Sequence, residues 1–308
     1  MNRDKSIGMF IGLAIGDALG APLEFQEARE PENFLTKYTS GGAHNVSVGE
    51  WTDDTSMALA MAKSLIEKQT FDADDIMQKF CNWYLNGEYS TRGNCFDIGG
   101  TTAVALRSYS SAFENSDYLQ PYRGRIATES SGNGALMRMA PVIMVANNPY
   151  HAMQLATQQT LLTHGSNLCV EYSIMLAEEL YYGYPITRYN DYKLPDDIKV
   201  NEVMSGGFVK ETYEAAWWAF ATTNSFEECI IKAVNRGHDA DTTGAVAGMI
   251  AGRHYGHSKI PDYFKENLMW HDELYQTAIE LSNIEYMDAR DDTWRRVIKE
   301  IQRRITSC

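Results

Sequence analysis

Apolar residues recur at helical spacing along most of this chain, and strictly alternating stretches are scarce. Asp53 to Lys68 is apolar at helical intervals behind an acidic start. Asp72 to Leu85 likewise opens on acidic residues, which suit the positive end of a helix. Ser166 to Tyr182 has a serine to cap it, and a broad face of Leu168, Val170, Ile174, Met175 and Leu176. It stops at Gly183 and Pro185. The Ala- and Trp-rich segment Val209 to Thr222 predicts a buried helix. Ser225 to Arg236, Thr242 to Tyr255, Tyr263 to Ser282 with a break, and Asp292 to Ile305 complete the set. Pro22, Pro31, Pro121, Pro149, Pro185 and Pro261 stand at or near the edges of helical segments. Pro195 falls in an irregular stretch from Tyr184 to Gly207, and Pro141 interrupts an apolar run. No linker or low-complexity tract divides the chain. The pattern predicts one all-α domain over residues 1–308.

Two glycine stripes run across this pattern. Gly8, Gly12, Gly16 and Gly20 recur every fourth residue, as do Gly244, Gly248, Gly252 and Gly256. Residues four apart share a helix face, and each interior glycine costs about 1 kcal/mol relative to alanine. Such a cost predicts a return, namely two helices packed at short distance through smooth faces.

Composition narrows the function. Hydrophobic residues make up 44% of the 308, so a packed core is expected. The net charge is −14 and no Lys/Arg-rich block occurs, which argues against nucleic-acid binding. Cys81, Cys95, Cys169, Cys229 and Cys308 are odd in number and form no CxxC pair, so neither a disulfide framework nor a zinc site is expected. That usage suits a reducing, cytoplasmic setting. Lys5 and the run Ile7 to Gly16 imitate a signal peptide, but Asp17 and three glycines interrupt it. No stretch reads as an apolar membrane span.

The candidate chemistry lies in two short clusters. Trp51-Thr52-Asp53-Asp54-Thr55 and His238-Asp239-Ala240-Asp241-Thr242-Thr243 each precede a helix of small residues. Either alone could be a helix cap. Together they offer only hard oxygen ligands, which suit Mg²⁺ or Mn²⁺ over zinc or copper. If the stripes pack together, Glu24 comes near Asp239 and Asp241, and Asp241 is placed to bridge two metals.

Four segments in order resemble the ADP-ribosylglycohydrolases. They are Gly12 to Gly20 with Glu24, Trp51 to Thr55, Gly132-Asn133-Gly134-Ala135-Leu136-Met137-Arg138, and Gly237 to Thr242. The resemblance implies a compact orthogonal multi-helix fold with a dinuclear Mg²⁺ or Mn²⁺ site. The ligands it implies are Thr52, Asp53, Asp54, Asp239, Asp241 and Thr242. The metals would hold ribose hydroxyls, and Glu24 would orient the ribose or the water that cleaves at the anomeric carbon. Asp97 matches the carboxylate of the arginine-specific branch and would pair with the guanidinium; it could equally cap a helix from Ile98. Gly132, Asn133 and Gly134 could bind a diphosphate or form a turn. His164 could donate to a phosphate or be structural, and Phe208 could stack on adenine or pack in the core. His238 departs from the expected Gly or Asp and is expected to face solvent.

The implied activity is removal of ADP-ribose from protein side chains, arginine first. ADP-ribosyl-serine or another ADP-ribose derivative is the runner-up. An immunity protein that binds an ADP-ribosyltransferase toxin is an alternative of another class, and strong acidity would aid such docking.

Overall fold

The computed structural model describes residues 2–114, 120–184 and 203–284. The helix expected over Asp292 to Ile305, and most of the irregular Tyr184 to Gly207 stretch with Pro185 and Pro195, lie outside these residues, as does Cys308. The described chain is helical: α1 Arg3–Gly20, α2 Asp53–Lys68, α3 Ala73–Asn86, α4 Gly100–Glu114, α5 Ala140–Met144, α6 Pro149–Thr163, α7 Asn167–Tyr182, α8 Val209–Ala221, α9 Phe226–Val234, α10 Ala240–Tyr255, α11 Asp262–Glu266 and α12 His271–Ser282. Among the described residues, the only β pairings are three isolated bridges.

The capping chemistry mostly follows the sequence. Ser166 accepts from Cys169 N–H, and Gly183 closes α7 in the left-handed conformation. Asp72 caps α3 by accepting from Asp75 N–H. Pro141 occupies the first turn of α5, where its missing N–H costs nothing. The break expected between Tyr263 and Ser282 separates α11 from α12.

The glycine stripes meet. A Cβ on Gly8 would stand 2.5 Å from Gly252 O, one on Gly12 2.2 Å from Gly248 O, and one on Gly16 1.9 Å from Gly244 O. At the end of the series, Gly20 faces Ala240 O at 2.3 Å. α1 and α10 are therefore antiparallel and backbone to backbone, in one register. Gly256 departs from the expected stripe. It caps α10 at φ +91°, and its neighbour is the Asp4 side chain.

Arg3–Leu23 is long and apolar enough to cross a membrane by composition, contrary to the sequence expectation, yet its 18-residue apolar window is entirely buried inside the fold. It is the central helix, wrapped by α10, α12, α2, α5 and α9. One contiguous apolar cluster surrounds it.

Candidate active site

The register of α1 against α10 brings the two Asp/Thr clusters together. α1 ends beside the start of α10, so Asp17, Glu24 and Asp241 share one end of the pair. Thr52 begins α2, and its hydroxyl lies 3.0 Å from Asp17 Oδ1, 3.2 Å from Asp54 Oδ2 and 3.3 Å from Asp241 Oδ2. Thr52 and Asp239 hold the N-cap positions without a side-chain cap bond, although Asp241 Oδ1 accepts from Thr242 N–H at 3.0 Å. Asp17 does that work for α2 from another helix. Its Oδ1 accepts from Thr52 N–H at 2.9 Å and its Oδ2 from Thr55 N–H at 3.0 Å and Thr55 Oγ1 at 2.6 Å.

The cluster side chains are thus left for something else. One hydroxyl proton cannot serve three carboxylates. Asp54 Oδ1 is buried and has no hydrogen-bond partner. Burial, with repulsion from the neighbouring carboxylates, pushes Asp53, Asp54 and Asp241 well above the ordinary carboxylate range. Asp239 is raised chiefly by burial. Buried carboxylates with an orphaned oxygen fit a divalent cation held by hard oxygen ligands. Asp17, Asp54 and Asp241 present carboxylate oxygens within 4.8 Å of one another, as do Glu24 and Asp97 with the imidazole nitrogen of His44.

Sequence reasoning passed over Asp17 and His44. The signal for Asp17 was present, as the one carboxylate in the run Ser6 to Gly20 of α1, all of which is buried. With four hydrogen bonds arriving on its two oxygens, it orients Thr52 and Thr55 and has little capacity left as a ligand. His44 gave no periodic signal because it sits in a tight loop closed by reciprocal bonds between Gly41 and Val46. Its Nε2 lies 2.8 Å from Glu24 Oε2 and 3.4 Å from Asp97 Oδ1. Arg92 braces the loop by donating to His44 O and to both oxygens of Glu50.

Beside this cluster lies a cavity of about 420 Å³, within the roughly 300–1,000 Å³ usual for small-molecule sites. Glu24, Asp53, Asp97, Asp239, Asp241 and Thr242 make up its acidic wall. Ile98 to Thr102 and Gly132 to Gly134, with His164, also line it. Asp97 does not cap a helix: it has φ +50°, and α4 starts only at Gly100.

Three expectations are redrawn. Asn133 spends its amide on Asp239 Oδ2 and Thr212 Oγ1, so it braces the acidic wall. The Gly132 and Asn133 N–H groups go to Ser130 O and Gly207 O. Gly134 instead makes room: a Cβ there would meet His164 Cε1 at 2.9 Å and Thr102 Oγ1 at 3.1 Å. Phe208 pairs its backbone with Gly132 and is not among the cavity-lining residues. The aromatic ring at the cavity is Phe25, 70% exposed. His238 is exposed, as expected.

Metal-free protein should be alkali-sensitive. Burial, then Asp97 repulsion, pushes Glu24 from 4.5 to about 9, and burial pushes Asp17 from 3.8 to about 6. A raised folded-state value favours the fold below the ordinary carboxylate range, and that contribution is lost as pH rises through about 6 and then about 9. Chelated protein should therefore melt progressively lower from pH 5 to pH 9 in thermal scans. Mn²⁺ should flatten the slope at concentrations where NaCl does not; equal flattening by NaCl would assign the slope to the net charge of −14.

A helical fold with an acidic two-cluster cavity of this kind defines a class, and the comparisons name it. The profile of the ADP-ribosylglycohydrolase family matches residues 1–184 and 184–291. The chain belongs to that family. It is 33% identical over 311 residues to the ADP-ribosylarginine hydrolase Tri1 of Serratia proteamaculans, covering 94% of this chain and 81% of the relative. It is 31% identical to the ADP-ribosyl-[dinitrogen reductase] glycohydrolase of Rhodospirillum rubrum, covering 84% of this chain and 88% of that protein. A solved structure described as an ADP-ribosylglycohydrolase-related protein complex superposes with a TM-score of 0.77 at 33% identity, over 92% of this chain and 98% of its own.

Proposed function

We propose that this enzyme hydrolyses the N-glycosidic bond between ADP-ribose and a protein arginine. The observation that carries the reading is the meeting of Asp54 from α2, with its orphaned oxygen, and Asp241 from α10 around the Thr52 hydroxyl, beside a cavity lined by Asp53, Asp97, Asp239 and Asp241. Thr52, Asp53, Asp54, Asp239, Asp241 and Thr242 would hold two Mg²⁺ or Mn²⁺ ions. Bound ions would supply positive charge and hard Lewis acidity for ribose hydroxyls.

The chain's own groups divide the remaining work. Asp239 is held by the Asn133 amide at 2.9 Å, so its carboxylate keeps one orientation. Glu24 lines the acidic wall and orients the ribose or the attacking water. Asp97 Oδ2 has no hydrogen-bond partner and is free to receive a guanidinium N–H. Water adds at the anomeric carbon, the bond to the arginine nitrogen breaks, and the leaving group takes a proton. Asp97 positions that group and passes to it the proton the water gives up. The names of the Serratia and Rhodospirillum relatives support an ADP-ribosyl substrate, and the first supports arginine.

The test uses ADP-ribosyl-arginine protein, with Mg²⁺ or Mn²⁺ and then with chelator. ADP-ribose release should vanish on chelation. Asp97→Asn should lower release from arginine by about 100-fold or more, the scale of a general acid–base contribution. It should leave hydrolysis of an O-linked serine substrate comparatively unaffected. Equal release with and without metal would refute the mechanism, and an equal loss on both substrates would remove Asp97 from acceptor recognition.

A further inference from the structure

His164 ends α6, and its ring enters the cavity wall against Gly132 and Gly134. Its Nδ1 lies 2.8 Å from Thr163 Oγ1. The same hydroxyl oxygen accepts an N–H from Arg138 Nη2 at 2.7 Å. Thr163 is fully buried, and among the described residues these are its hydroxyl's two hydrogen-bond partners.

Proton bookkeeping then selects one arrangement. A hydroxyl has one proton and two lone pairs, and a guanidinium only donates. If His164 also donated from Nδ1, both lone pairs would be taken and the hydroxyl proton would be buried without an acceptor. If the hydroxyl donates to Nδ1, every one of these groups is paired. The ring's own proton then lies on Nε2, which has no acceptor among the described residues and abuts the glycine strip of the cavity.

We propose that Thr163, anchored by Arg138, is a positioning residue that fixes His164 as a neutral Nε2–H donor facing the cavity, where it binds an oxygen of the substrate's diphosphate. The identity of that acceptor rests on the ADP-ribose reading; the tautomer does not.

The anchor is well held. Arg138 is fully buried, donates from Nε to Gln159 Oε1 at 3.0 Å and from Nη2 to Gln159 O at 3.1 Å, and lies over the Phe80 ring. Burial pushes its guanidinium down only to about 9, so it stays charged at neutral pH. Burial and the Arg138 charge push His164 to about 3, so the imidazole stays neutral there. The opposite tautomer would aim a lone pair at the phosphate oxygens and repel them.

The experiment is ¹⁵N NMR of the imidazoles in ligand-free protein, joined to calorimetric titration with ADP-ribose. Wild type should show His164 protonated on Nε2 alone at neutral pH. Thr163→Ser should keep that signature and bind within about threefold of wild type. Thr163→Val should lose the single-tautomer spectrum and bind at least about tenfold more weakly, the scale of one hydrogen bond to a charged group. A wild-type proton on Nδ1 would overturn the proposal. So would a Thr163→Val protein with an unchanged spectrum and unchanged affinity. Wild type with the Nε2 proton but no ADP-ribose binding would sink the substrate reading and leave the tautomer standing.

Discussion

Asp241→Asn should abolish metal-dependent release of ADP-ribose while making the metal-free protein more stable. Both halves follow from one arrangement. Asp241 is 2% exposed, approaches the Thr52 hydroxyl, and is pushed well above the ordinary carboxylate range by burial and by Asp97, Glu24 and Asp54. Without an ion its charge is a liability, so an amide relieves repulsion and raises the melting temperature in chelator. With an ion, the same charge is what binds. Loss of even an outer-shell partner typically costs about 10–100-fold in metal affinity, so loss of this carboxylate should cost at least about 100-fold. At a metal concentration about 100-fold above the wild-type Kd, binding stabilises by about 2.7 kcal/mol; a 100-fold weaker site gains only about 0.4 kcal/mol. Melting curves with Mn²⁺ and with chelator should therefore differ widely for wild type and nearly coincide for the variant. A variant that is destabilised in chelator would mean that Asp241 is structural.

Gly16→Ala should unfold or loosen the molecule, against helix propensity. Alanine gains about 1 kcal/mol over glycine in a helix interior. Here its Cβ would stand 1.9 Å from Gly244 O and 2.3 Å from Gly244 C. Both are backbone atoms of α10, so no rotamer change relieves the overlap, and the helices must separate. Overpacking by a side chain costs about 1–3 kcal/mol where neighbours can adjust. A backbone neighbour places the cost at or above the top of that range, for a net loss of at least about 2 kcal/mol. Denaturant titration measures it. Gly100→Ala is the control, because a Cβ there meets nothing within 4 Å, and it should be neutral. Metal affinity should fall more than stability, since Gly16 adjoins Asp17 and Gly244 lies one turn from Asp241. An unperturbed Gly16→Ala protein would contradict the close packing of α1 on α10.

The helices that were legible in the sequence are those whose apolar face turns toward the core, such as α2, α7 and α10. α4 and α6 were not. α6 buries Gln158, Gln159, Thr160 and Thr163, and this polar stripe receives the Arg138 guanidinium. A helix that buries polar groups against an arginine has no apolar periodicity to read. The two Asp/Thr clusters were legible because the glycine stripes gave them a reason to meet. The bracing role of Asn133 was not legible, because its amide has acceptors 79 and 106 residues away. Phe208 was left open between adenine and core, because residue type does not say which way a ring turns.

The α1–α10 contact also separates two things that usually vary together. In most sites assembled from distant segments, the connecting chain helps to set the distance between the parts. Here Gly8 to Gly20 and Ala240 to Gly252 lock by touching backbones, so the gap between Asp17 and Asp241 is fixed like that between two teeth of a closed zipper. Loops of the intervening chain can change length without altering that gap, provided α2 still delivers Thr52 between the two carboxylates.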